Sequence, residues 1–208
     1  MEETIQLLIY IHAFFGGIAL LAGLVSMIAT KGNAVHKKSG LWFFYSMVIS
    51  GAIAMFVAVL PNHESPFLFA VGIFSLYFVI TGNRALNFKR KNVNLKIDKL
   101  ISIIMLITGF LMILLPIILT KSANIILIVF AVIGILFSIR DLKLFKNPKQ
   151  LRKNWLKLHL GKMIGGYISA VTAFVVVNNF FPSFYGWFIP GIIGGFVIAY
   201  WMRKVSRK

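Results

Sequence analysis

The chain has 208 residues, 59% of them hydrophobic, and a mean hydropathy of +0.89, far more apolar surface than one soluble core of this size could hide. It carries 22 Lys and Arg against five Asp and Glu, for a formal charge of +17, and no cysteine, which excludes disulfides, iron–sulfur clusters and thiol chemistry. The charge does not point to nucleic acid, because no basic run is interleaved with stacking aromatics in a loop large enough to fold.

A bilayer crossing takes about 20 apolar residues. By that measure the sequence predicts helices over 4–30, 41–60, 67–86, 100–120, 125–145, 156–178 and 187–202. The fold class expected is all-α: a polytopic membrane bundle of seven transmembrane helices forming a single domain over 1–208. The first residues, Met1, Glu2, Glu3 and Thr4, are acidic where a secretory signal has cations, so no cleavable leader is expected. Turn residues punctuate the connections: Lys31-Gly32-Asn33, Pro61 to Pro66, Lys121 to Asn124 and Pro182-Ser183. Pro116 is expected to bend or end the fourth helix, since it removes a backbone donor.

Seven crossings place 21 of the 22 cations on one side, leaving only Lys121 on the other. Cationic loops stay in the cytoplasm, so the N-terminus is expected outside and the C-terminus inside. The expected location is the bacterial cytoplasmic (inner) membrane, with anionic lipid headgroups as partners of the basic side. Trp42, Tyr45, Trp155, Tyr200 and Trp201 fall near the inner boundary and Phe180, Phe181, Tyr185 and Trp187 near the outer one, as amphipathic rings prefer.

Small side chains at four-residue spacing let helices approach closely in lipid. The first helix has Gly16, Ala19 and Gly23; the second Ser46, Ser50, Ala54 and Ala58; the sixth Gly161, Gly165, Ser169 and Ala173; the seventh Gly191, Gly195 and Ala199. These four are expected at the packed centre, or as faces for membrane-protein partners or a homo-oligomer. The fourth and fifth, rich in Ile and Leu, are expected to face lipid. No residue-level similarity links the two halves of the chain.

Ionisable groups at membrane depth are costly and ask for a reason. His12 shares a face with Gly16, Ala19 and Gly23 and therefore points at protein, either as a neutral ring hydrogen-bonded to a neighbouring helix or as a ligand or proton relay. At the inner boundary His36 precedes the second helix, Arg84 ends the third, Asp141 lies near the end of the fifth and His159 opens the sixth. His36, His159 and Asp141 could begin a divalent-metal site, and His36 with His159, or His12, could ligate haem b. The alternative is a structural ion pair of Arg84 with Asp141. His63 and Glu64 read as solvated loop residues. No nucleotide loop, G-x-S-x-G or paired carboxylates are present, which argues against classical hydrolase chemistry.

The stretch from His12 to Gly23, then His36-Lys37-Lys38-Ser39-Gly40, Tyr77 to Leu86, Asp141 and His159 to Asn178 resembles a family of bacterial multi-pass inner-membrane proteins catalogued as a domain of unknown function. The resemblance implies a compact multi-helix membrane protein with His12, His36, Arg84, Asp141 and His159 as marked positions, and it implies no activity. Lys37 stands where that group often has Arg, which weakens bidentate anion recognition there. Three functions follow: a metal- or haem-binding redox or binding module with a cytoplasm-side His/Asp/Arg site, a small proton- or ion-coupled transporter or channel, and an accessory subunit of a larger membrane complex. For the transporter, the lack of an intramembrane acid counts against strong cation coupling.

Overall fold

The computed structural model describes residues 2–182 and 184–206; Met1, Ser183, Arg207 and Lys208, which enter the terminal, turn and charge readings above, lie outside them. The structure is 84% helical. Its seven long helices are α1 (Glu2–Ile28), α2 (Ala34–Val57), α3 (Pro66–Arg84), α4 (Lys96–Thr120), α5 (Ile125–Leu144), α6 (Pro148–Val177) and α7 (Tyr185–Ser206), with a short 3-10 helix over Ala85–Lys89 after α3. All seven are long and apolar enough to cross a membrane.

Three helices begin well before their apolar stretches. α2 starts at Ala34, α4 at Lys96 and α6 at Pro148, rather than at 41, 100 and 156. Capping explains two of these: Asn33 Oδ1 accepts the His36 N–H at 2.7 Å, and Asn147 Oδ1 accepts the Gln150 N–H at 3.1 Å with Pro148 in the first helical position. An Asn cap satisfies a backbone donor that would otherwise lack a partner, and Pro at the next position is pre-set for helix. The lysines and arginines that follow are good helix formers, so the helices continue outward where hydropathy falls. His36 therefore sits in the first turn of α2, not in a loop, and His159 within α6, not at its start. At Pro116, α4 continues for a further turn and ends at Lys121, whose φ of 50° is left-handed.

Burial also differs from the small-residue expectation. Of the most apolar stretch of each helix, 39% is buried in α3 and α6 and 33% in α5, against 11% in α1 and 17% in α7. α4 and α5 pack on one another, with Gly109 against Ile135 and Ala131, and Gly134 against Met105. On α7, a Cβ added at Gly191 or Gly195 would meet nothing within 4 Å. Spacing marks where close approach is sterically allowed; a facing partner decides whether it happens.

The chain divides into two compact units, one comprising Met1–Ile80 and Gly165–Gly191, the other Thr81–Ile164 and Ile192–Lys208. The first is built on the α1–α2 hairpin, with Phe43 against Tyr167 and Phe67 against Trp187 in edge-to-face contact. The second is built on the α4–α5 hairpin. In it Ala85, Phe88, Phe145, Leu151 and Leu158 form a small buried core, flanked by Val93, Leu95 and Trp155.

Candidate functional site

In the first unit, α1 and α2 each carry the pattern H-x3-G-x9-S: His12, Gly16, Ser26 and then His36, Gly40, Ser50. The antiparallel hairpin sets each histidine against the serine of the other helix. His12 Nδ1 donates to the Ser50 carbonyl at 2.9 Å, and His36 Nδ1 donates to the Ser26 carbonyl at 2.9 Å. In return Ser50 Oγ donates to the His12 carbonyl at 3.0 Å and Ser26 Oγ to the His36 carbonyl at 3.4 Å. The glycines lie beside these hydroxyls: a Cβ at Gly16 would stand 3.5 Å from Ser50 Oγ, and one at Gly40 3.4 Å from Ser26 Oγ, both ordinary contact distances. A carbonyl can only accept, so Nδ1 carries the proton in both rings. Outside this hairpin, His63 Nε2 lies 3.2 Å from Glu2 Oε1, so His63 is tied to the start of α1 and is not simply solvated.

The second unit holds the buried charges. Asp98 and Asp141, the only acids on the cationic side of the sequence, are 0% and 2% exposed. Arg84 grips Asp98 in a fork, with Nε to Oδ1 at 2.8 Å and Nη2 to Oδ2 at 2.7 Å. Asp141 is paired with Lys162 of α6. The expected Arg84–Asp141 pair is thus replaced by two others. With α4 beginning at Lys96 and not at 100, Asp98 is an acid of the first turn, where the helix dipole favours it.

Lys162 is 3% exposed and also donates to Thr81 Oγ1 of α3 at 3.0 Å. Ser102 of α4 donates to Asp141 Oδ2 at 3.4 Å, a long and weak contact. One turn before Asp141 on α5, Ser138 is fully buried and its Oγ has no hydrogen-bond partner among the described residues. Four helices thus place Thr81, Ser102, Ser138, Asp141 and Lys162 in one interior. A buried ion pair persists only where attraction and added hydrogen bonds offset the loss of water, and here hydroxyls supply those bonds. Lys162 was readable: a lysine beside Gly161, inside an apolar run, is the kind of residue that marks a functional position.

His159 Nδ1 donates to the Gly82 carbonyl at 2.9 Å, at a point where α3 and α6 come so close that a Cβ on Gly82 would lie 3.0 Å from the Met163 backbone nitrogen. His36 belongs to the first unit, His159 and Asp141 to the second. Among the described residues no group of three or more His, Asp or Glu that could hold a metal ion is found. What converges is a buried charge pair with a hydroxyl on each member, Thr81 on Lys162 and Ser102 on Asp141. No family model, curated protein or solved structure matches this chain.

Proposed function

We propose that the chain is a multi-pass membrane protein, with its N-terminus outside and its cationic ends in the cytoplasm, and that it carries protons, or ions exchanged for protons, through the Asp141–Lys162 pair. One observation carries this reading: a lysine and an aspartate, each almost wholly buried, meet between α5 and α6 with Thr81 and Ser102 as their hydrogen-bonding surroundings. Asp141 is an acid buried in protein near the inner end of α5. It precedes the end of α5 by three residues, about 4.5 Å at the helical rise.

The chemistry runs as an alternation. With Asp141 ionised and Lys162 protonated, the pair is neutral and closed to water. A proton added to the Asp141 carboxylate leaves the Lys162 ammonium without its counter-charge in a poorly solvated place, which is unstable. The Lys162 ammonium then gives its proton to water on the cytoplasmic side, and transfer of the carboxyl proton from Asp141 to the neutral amine restores the ion pair, so one proton enters and one leaves per cycle. Purified protein in liposomes carrying a trapped pH dye should dissipate an imposed proton gradient, and Asp141→Asn and Lys162→Gln should slow this at least tenfold while Glu64→Gln does not. Equal rates in folded wild type and Asp141→Asn would remove the proposal.

A second reading rests on the histidines. His12 and His36 each donate Nδ1–H to a backbone carbonyl, which leaves Nε2 of a neutral ring as a lone pair, the state in which an imidazole ligates a metal or haem. A Soret band in protein purified from haem-replete cells, lost in His36→Ala, supports it; a colourless and metal-free preparation removes it.

A further inference from the structure

At the end of α5 an open groove of about 510 Å³ is lined by Leu136, Ile139, Arg140, Lys143, Leu144 and Asn147, with Gln150 at its edge. Its α5 residues recur every three or four positions and so form one continuous stripe, apolar at Leu136 and Ile139 and cationic at Arg140 and Lys143. Both cations are exposed, and among the described residues neither has a carboxylate within ion-pair distance. They cannot be neutralised from within this part of the chain. Its two acids are already committed, Asp98 to Arg84 and Asp141 to Lys162. Arg140 and Lys143 are therefore open to an anion from outside, and the stripe suits an amphiphilic one, with a charge beside the guanidinium and ammonium and a hydrocarbon tail along Leu136 and Ile139.

We infer that this groove is a binding site for an anionic phospholipid, its phosphate held by Arg140 and Lys143, its headgroup hydroxyls or ester oxygens facing the Asn147 and Gln150 amides, and one acyl chain lying on Leu136 and Ile139. Basic pockets at the cytoplasmic ends of membrane helices hold such headgroups by this combination of charge and depth, and the guanidinium fork suits a phosphate. The inference rests on the bilayer orientation proposed above, and not on transport. It differs from general attraction of a basic face because one groove, not the whole cationic side, discriminates.

The test uses the full chain in a neutral detergent. Phosphatidylglycerol added to the micelles should raise the melting temperature by several degrees, phosphatidylcholine should not, and native mass spectra should retain one phosphatidylglycerol per chain. Arg140→Gln with Lys143→Gln should lose most of the shift and the retained lipid, whereas Arg203→Gln with Lys204→Gln, equal in charge removed, should keep both. If the first double variant fails to fold, Lys143→Gln alone should weaken lipid retention severalfold. Equal losses in the two double variants, equal effects of the two lipids, or the full shift from inorganic phosphate alone would each overturn the assignment. Loss of proton flux has no bearing on these readouts, so the two proposals fail separately.

Discussion

His12 and His36 occupy equivalent places on two antiparallel helices: each donates Nδ1–H to the carbonyl of a serine that lies fourteen residues beyond the other histidine. The repeat of 24 residues from His12 to His36, from Gly16 to Gly40 and from Ser26 to Ser50 gives the hairpin a local two-fold relation. Helical carbonyls already accept an intrahelical N–H, and the imidazole uses the remaining lone pair. The bonds therefore join helices without breaking either one.

Each histidine should accordingly contribute a similar amount to stability. His12→Ala and His36→Ala are expected to destabilise by about 1 kcal/mol apiece, the net worth of one hydrogen bond, measured by denaturant unfolding in mild detergent. His12 Nδ1 lies 2.9 Å from both the Ser50 carbonyl and the Ser50 hydroxyl; the carbonyl remains in Ser50→Ala, which should therefore leave most of the His12 contribution in place. A double-mutant cycle in which Ser50→Ala abolishes the effect of His12→Ala would show that the hydroxyl, and not the carbonyl, holds the ring.

Breaking the Lys162–Asp141 pair from one side leaves an uncompensated buried charge. Asp141→Leu alone should destabilise by about 3–5 kcal/mol, and the double variant Asp141→Leu with Lys162→Met should recover most of that loss. Such a rescue, accompanied by complete loss of proton flux, would separate the pair's place in the fold from its place in function.

The second pair is asymmetric, and its variants should be too. Asp98 is fully buried while the Arg84 side chain is 26% exposed, so an orphaned Arg84 can reach water and an orphaned Asp98 cannot. Arg84→Gln should therefore cost about 3 kcal/mol or more, and Asp98→Asn about 1–2 kcal/mol. Arg84→Lys should not restore the loss, since an ammonium cannot reproduce the two-pronged grip. Thermal unfolding of the three variants, compared in one detergent, decides this; equal losses for Arg84→Gln and Asp98→Asn would count against the asymmetry.

Ser138 offers a test of opposite sign. Its buried hydroxyl has no hydrogen-bond partner among the described residues, and an unsatisfied polar group costs about 1–3 kcal/mol. Ser138→Ala should then be neutral or stabilising by up to about 1 kcal/mol. Destabilisation would mean that the hydroxyl holds a water molecule against Asp141.

The absence of cysteine makes orientation directly measurable. Lys121→Cys in intact cells should react with a membrane-impermeant maleimide, and Lys146→Cys should react only after the membrane is opened. The reverse pattern would invert the proposed topology.

Glycine variants probe which close approaches are real. Gly82→Ala would set its Cβ 3.0 Å from the Met163 backbone nitrogen, an atom that cannot move aside alone, so a loss of about 1–3 kcal/mol is expected. Gly195→Ala has open space and should stabilise α7 by up to about 1 kcal/mol. Unfolding midpoints read both.

Seven apolar helices were legible in the sequence because hydropathy over about 20 residues is a local property, summed along the chain without reference to any partner. The crowding of cations at alternate helix ends was legible for the same reason. Helix starts at Ala34 and Pro148 were signalled by Asn33 and Asn147, but the capping signal is carried by single residues and was outweighed by the drop in hydropathy beyond them. Pairing was not legible. Arg84 could meet Asp98 or Asp141 with equal chemical sense, and only the packing of α3, α4, α5 and α6 decides which carboxylate lies within reach. The same holds for burial: the small residues of α7 and the large ones of α4 state what each helix permits, while the neighbour that each one meets determines what is enclosed. Composition and periodicity thus determined the helices and the placement of charge along them. Tertiary structure alone decided the partners, because a charge's partner is a relation between distant segments that no single segment contains.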